Sequence, residues 1–245
     1  MSLLIIAHRG ASGAAPESTT AAIRLALAQR ADMIELDVQM TRDGRLVIFH
    51  DDMLDRTTDG HGPVSDHRYR DLARLDAGAW FGWRFAGERV LLVSQALRRA
   101  AFCRVNLELK PTPRAAPLLA RVARLLARSG VRTRVLVSSF DPALVSGLRR
   151  RDARAATALL CHERWPVALR QARRLGCAAI HPHCSLVSAA RVRQAHAAGL
   201  RVHAWTTDDR REAARLAAAG VDGIVTNHPA RLAFLHGERS TRVEP

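Results

Sequence analysis

Short apolar runs alternate with longer stretches in which apolar residues recur every three or four positions, and the pattern repeats along the chain. Runs of strand character fall at 3–7, 32–38, 104–109, 133–137, 155–160, 177–181, 201–205 and 221–225. Stretches of helical period follow them at 18–30, 94–101, 114–129, 141–150, 165–175, 188–198, 209–219 and 229–236. Eight strand–helix units in 245 residues predict an α/β fold, a (β/α)8 TIM barrel, as a single domain over 1–245. No Gly-x-Gly-x-x-Gly follows the first strand, which weighs against a doubly wound nucleotide-binding sheet.

Two segments break the alternation. The first is a ninth strand-like run, Leu46-Val47-Ile48-Phe49-His50, joined to the second strand through Asp43-Gly44. Asp-Gly between two β runs predicts a hairpin. With Asp43 and Gly44 as the two turn residues, Arg42 faces Arg45 and Asp37 faces His50. The second break is residues 51–90, too long for an ordinary connection. It is expected to form a small inserted cap subdomain after the second strand and its hairpin, on the C-terminal rim where barrel enzymes keep their sites. Trp80, Phe81, Trp83 and Phe85 are the expected packing residues of that cap.

Composition changes this picture little. The net charge of +15 raises a nucleic-acid or anionic-surface hypothesis, but residues 1–60 hold 6 basic and 9 acidic groups, so the excess lies downstream. It is spread over helical patterns, such as Arg114, Arg121, Arg124 and Arg128, without interleaved aromatics, as on a solvated surface. No nucleic-acid partner is therefore expected, and no apolar run reaches membrane-spanning length. The N-terminal Leu3–Ala7 run lacks a basic flank and reads as a first strand rather than a signal peptide, so a cytoplasmic protein with reduced thiols is expected. The Cys177–Cys184 segment matches no ordinary zinc pattern. Lys110 is the only lysine, which marks it as a position needing a compact ammonium.

The chemistry lies at the C-terminal ends of the predicted strands. Glu35 and Asp37 share one face of the second strand, because side chains alternate. Two carboxylates on an otherwise buried strand repel each other unless a cation compensates them. Asn106, Glu108 and Lys110 share a face of the third. His8-Arg9 ends the first strand, and His50-Asp51 ends the hairpin. Glu35, Asp37 and Glu108 form a hard oxygen set suited to Mg²⁺ or Ca²⁺. Arg9 and Lys110 add positive charge for an anion such as phosphate, and two histidines can supply an acid and a base. Residue type and placement alone point to metal-assisted phosphodiester hydrolysis.

The ordered set His8-Arg9-Gly10, Pro16-Glu17, Glu35-Leu36-Asp37, His50-Asp51, Arg56-Thr57-Thr58-x-Gly60, Asn106-Leu107-Glu108-Leu109-Lys110, Ser138-Ser139-Phe140 and Asp222-Gly223-Ile224-Val225-Thr226-Asn227 resembles the glycerophosphodiester phosphodiesterase family over nearly the whole chain. The short form is similar to its bacterial cytoplasmic members. The resemblance implies a barrel with a small insert, one divalent cation, and cleavage of glycerophosphodiesters to sn-glycerol 3-phosphate and an alcohol. It implies His8 and His50 as the acid/base pair, and Glu35, Asp37 and Glu108 as metal ligands. Arg9 and Lys110 would contact phosphate, and Trp205 would line the substrate pocket. A related barrel phosphodiesterase acting on lysophospholipids or phosphoinositides is the alternative. Two motifs depart from the family. Ser18 stands where the family has Asn and is expected to cap the first helix, and Val90–Gln95 replaces Ile-Pro-Thr-Leu-x-Glu, which implies a different start to the second helix.

Overall fold

The computed structural model describes residues 3–128 and 130–237. The elements in chain order are β1 (Leu4–His8), α1 (Thr20–Ala28), β2 (Met33–Met40), β3 (Leu46–Ile48), α2 (Tyr69–Leu72), α3 (Val93–Arg99), β4 (Arg104–Leu109), α4 (Ala115–Leu126), β5 (Val135–Ser139) and α5 (Pro142–Arg151). They continue with β6 (Ala156–Cys161), α6 (Trp165–Arg174), β7 (Ala179–Pro182), α7 (Ala189–Ala197), β8 (Arg201–Ala204), α8 (Arg210–Ala218), β9 (Gly223–Thr226) and α9 (Phe234–Gly237). Every predicted strand is present, and every predicted helix but the last, with ends shifted by a few residues; the stretch predicted at 229–236 is a 3₁₀ turn, Pro229–Leu232, followed by the four-residue α9. Eight strands pair in parallel in the order β1-β9-β8-β7-β6-β5-β4-β2, and β1 also pairs with β2, so the sheet closes into a TIM barrel. β3 pairs antiparallel with β2 outside the ring.

Alternation along each strand builds two environments. Ile34, Leu36 and Val38 of β2 join Val105 and Leu107 of β4 in the layer between barrel and helices, packed on Ile23 of α1. The facing residues point into the barrel, where Leu4, Ile6, Met33 and Val225 form a small apolar cluster. Leu107 is fully buried at the centre of the outer layer. Leu107→Ala is expected to cost ~2–5 kcal/mol, read from the urea unfolding midpoint. A shift under ~1 kcal/mol would mean that the layer collapses around the gap.

Helix starts follow capping chemistry. Asp141, Ser188 and Asp209 each accept a first-turn N–H of α5, α7 and α8, and Pro142 occupies the first turn of α5. At α1 the cap is Thr19, which accepts from the Ala22 N–H at 3.3 Å, and not Ser18. Ser18 instead adopts φ +59°, a left-handed conformation that closes the turn through its N–H to the Arg9 carbonyl at 2.9 Å. α3 does begin differently: the Gln95 side chain accepts the Leu92 N–H at 2.9 Å, half of a capping box made without a hydroxyl residue.

The hairpin register is one residue off the expected one. Val38 pairs with Ile48, Gln39 with Val47 and Met40 with Leu46, so Phe49 and not His50 bonds to Asp37, through its N–H to the Asp37 carbonyl at 3.0 Å. The Gly44 N–H bonds to the Thr41 carbonyl, and Gly44 sits at φ +75°, which adds a third residue to the loop as a bulge.

Between β3 and α3 the chain packs on its own apolar cluster of Val47, Phe49, Leu54, Val64, Leu72, Ala77 and Val90. The four aromatics expected to form this core lie outside it. Trp83 is 88% exposed and Trp80 41%, with Phe81 stacked edge-on to both Trp80 and Phe85. Phe49 and aliphatic residues spaced along 47–90 supply the core, and the rings at 80–85 pack on one another nearer the surface. Among the described residues no helix is long and apolar enough to cross a membrane.

Candidate active site

The strand ends bring His8, Arg9, Glu35, Asp37, His50, Asn106, Glu108 and Lys110 to one pocket of about 130 Å³, with Phe140, His181 and Trp205 on its walls. Glu35 and Asp37 project inward from β2, and Glu108 projects inward from β4, directly opposite Asp37 in the register. One carboxylate oxygen from each of the three lies within 4.8 Å of the others. All three side chains are buried, and Glu35 Oε1 and Asp37 Oδ2 have no hydrogen-bond partner.

Two cations offset part of this charge. Lys110 Nζ bridges Asp37 Oδ1 at 2.8 Å and Glu108 Oε1 at 2.6 Å. Arg9 donates its backbone N–H to Glu35 Oε2 at 3.1 Å, while its Nε stands 3.3 Å from Asp37 Oδ2 but out of hydrogen-bond line. The consequences differ by position. Burial would raise all three carboxyls, but the charges of Lys110, Arg9 and His50 hold Asp37 below the usual carboxylate range. Burial, reinforced by the Asp37 and Glu108 charges, pushes Glu35 well above it. Burial and the Asp37 charge also raise Glu108. The cluster is thus short of positive charge, and its hard oxygen donors with unpaired lone pairs fit a divalent cation.

The histidines are held differently. His8 Nδ1 meets Asn227 Oδ1 at 2.7 Å, and Asn227 is oriented by donating Nδ2 to Asp208 Oδ2 at 2.8 Å. That arrangement places the ring proton on Nδ1 and leaves Nε2 free, 3.9 Å from Glu35 Oε2. Burial, with the Arg9 charge, lowers the His8 pKa to about 4, so the ring is neutral near pH 7. His50 Nδ1 donates to Asp51 Oδ1 at 2.6 Å. Asp51 is in turn held by Arg56, which also pairs with Glu17, and Glu17 takes Arg9 Nη1 at 3.0 Å. A chain of ion pairs therefore ties the first β–α loop to the loop that carries His50. Trp205 donates Nε1 to the His181 carbonyl at 2.8 Å and stands edge-on to Phe140.

The model of the "Glycerophosphoryl diester phosphodiesterase family" matches residues 8–231. The chain belongs to this family. A glycerophosphodiester phosphodiesterase of Caldanaerobacter subterraneus is 35% identical over 240 residues, covering 95% of this chain and 97% of that one. One from Bacillus subtilis is 31% identical over 247 residues, covering 93% and 84%. Among solved structures, a phosphodiesterase of Oleispira antarctica in complex with the product sn-glycerol-3-phosphate superposes with a TM-score of 0.90 at 31% identity, covering 96% of each chain.

In this glycerophosphoryl diester phosphodiesterase all eight site residues predicted from sequence line one pocket. Lys110 meets carboxylates there rather than open space, so any phosphate contact would be shared with Asp37 and Glu108. Asn227, Asp51, Glu17 and Arg56 were not predicted as site residues. Each lies inside a quoted family motif, yet none lines the pocket: Asn227, Asp51 and Glu17 bond His8, His50 and Arg9, and Arg56 bonds Asp51 and Glu17, which spacing alone does not show. Phe140, just past the end of β5, was not predicted as a site residue either; His181, which the sequence offers as a residue of the mouth but more readily as structural, lines the pocket. His183 bonds Ser185 and stands edge-on to Trp205. All four cysteines are buried and free.

Proposed function

We propose that the protein hydrolyses glycerophosphodiesters to sn-glycerol 3-phosphate and an alcohol, with one divalent cation, Mg²⁺ or Ca²⁺, held by Glu35, Asp37 and Glu108. The carrying observation is the buried trio of carboxylates, undercompensated by Lys110 and Arg9, between two independently oriented histidines. When bound, the cation would neutralise phosphate oxygens and stabilise charge developing at phosphorus. Arg9 and Lys110 add positive charge on the same side of the pocket.

His8, neutral with Nε2 unprotonated, accepts the proton of the attacking hydroxyl, either water or the neighbouring glycerol hydroxyl, in which case a water must then open the cyclic phosphate to give the monoester. That assigns His50 the delivery of a proton to the departing alkoxide, with Asp51 fixing its ring. Trp205 and Phe140 bound the side of the pocket where the glycerol or the leaving group lies. We place the segment 51–90 as a cap over this rim, reached through the Arg56 ion pairs. A cytoplasmic setting without stable membrane insertion is part of this reading and suits a small-molecule substrate. The small pocket, with three carboxylates and two cations facing its aromatic walls, favours this reading over lysophospholipids or phosphoinositides.

The test is turnover of a panel of glycerophosphodiesters, with product analysis, before and after chelation. The expected result is release of sn-glycerol 3-phosphate, lost with chelator and restored by Mg²⁺ or Ca²⁺. Chelator-insensitive turnover would remove the cation from the reading, and activity confined to lysophospholipids would replace the substrate class.

A further inference from the structure

The opposite end of the barrel holds a larger cavity that the reaction does not use. It measures about 500 Å³ and is framed by the starts of β4, β5, β6 and β8. The void arises because β6 and β7 present Ala156, Ala178 and Ala179 to it, where barrel interiors are usually filled by branched side chains. Four arginines, Arg104, Arg132, Arg134 and Arg201, line it, and no acidic residue does. At its inner end lies His203, 2% exposed, with neither ring nitrogen hydrogen-bonded.

We propose that this lower mouth is a second ligand site, which takes a small organic phosphate monoester on the side of the barrel away from the carboxylate cluster. The arginines divide into two pairs. Arg132 is bound to Asp152 at 2.9 Å, and Arg134 donates to the carbonyls of Leu97 and Ala100 at 2.8 Å. They form a fixed positive frame. Arg104 and Arg201 are exposed, and their side chains have no hydrogen bond or ion pair among the described residues. Both lie close enough to His203 for their charges to bear on its ring, which burial first of all keeps neutral.

A neutral imidazole carries one donor and one acceptor, and a buried one normally satisfies both. Here neither ring nitrogen has a partner, and the ring lies buried at the inner end of the cavity. The nearest carboxylate, Asp222, is engaged by the Val202 N–H and His196 Nε2, each at 2.8 Å. Guanidinium forks match phosphate oxygens, and the imidazole N–H adds a directed bond from within. The apolar walls of Met33, Val135 and Leu136, and a volume typical of small-molecule pockets, call for an organic body beyond the phosphate. The site is separate from the catalytic pocket: Arg201 and Trp205 stand at opposite ends of the β8 column, ~13 Å of strand apart. The His203 ring packs 4.8 Å from His181, a wall of the catalytic pocket, so the two buried rings stand between the sites.

Calorimetric titration of the full chain with phenyl phosphate in the presence of chelator tests this, because without a cation the three carboxylates of the catalytic pocket disfavour a phosphate there. Saturable binding of one equivalent is expected, with Kd of about 1 mM or tighter. The Arg104→Gln/Arg201→Gln double variant should weaken it by ~10-fold or more, with turnover unchanged. An Arg124→Gln/Arg128→Gln control, with the same charge loss on α4 and just beyond it, should leave binding as it was. Absence of saturable binding, or an equal loss in the control, would overturn the site. Inorganic phosphate binding as tightly as phenyl phosphate would overturn the organic monoester.

Discussion

His50→Ala is expected to lower kcat on a glycerophosphodiester by ~10²–10⁴-fold, the contribution of one positioned acid or base. Its side chain is 32% exposed, and among the described residues its one side-chain partner is Asp51, so the variant should unfold at nearly the wild-type temperature. His8→Ala should lose a similar factor for a different reason. Its ring is more enclosed and bonded to Asn227, and its removal leaves Nε2 absent from beside Glu35. Because the two act on one transition state, the double variant should be little worse than the poorer single variant. Steady-state kinetics on the three proteins, with thermal unfolding alongside, decides it. Near wild-type turnover of either single variant would remove that histidine from the proton transfers, and full multiplication of the two losses would mean that they serve separate steps.

The legible part of this molecule is what periodicity controls. Strand alternation placed Glu35 with Asp37 and Glu108 with Lys110, and the structure keeps both pairs on the barrel interior because Ile34, Leu36 and Leu107 hold the opposite face in the helix layer. What was not legible depends on single backbone angles. The hairpin register slipped because Gly44 enters a left-handed bulge, which a two-residue Asp-Gly turn does not anticipate. His50 still lines the pocket, since β3 ends at Ile48 and the ladder no longer dictates its direction. The cap of α1 moved from Ser18 to Thr19 for the same kind of reason, a left-handed Ser18. The residues between β3 and α3 have no period to read, and ring size was a poor guide to which of them face inward.

Glu35→Gln should stabilise the cation-free protein while it disables the enzyme. Glu35 is buried, its Oε1 has no partner, and both Asp37 and Glu108 repel it. A neutral amide of the same shape keeps an acceptor for the Arg9 N–H and can turn its NH₂ toward the two remaining carboxylates. The gain should be on the order of 1–3 kcal/mol, the scale of relieving a buried unsatisfied group, read as a higher unfolding midpoint in chelator. Added Mg²⁺ or Ca²⁺ should reverse the ranking. Wild type gains ~2.7 kcal/mol at a hundredfold excess over Kd, whereas the variant, with one anionic ligand fewer, gains much less. Turnover should fall by at least ~10²-fold, because a direct ligand matters no less than the groups that orient ligands. The crossover is the diagnostic feature. If the carboxylate were held for packing alone, its replacement would lower the midpoint in both conditions, and a cation would not shift wild type. If the trio is instead a cation site, selection has kept a charge that the empty fold is better off without.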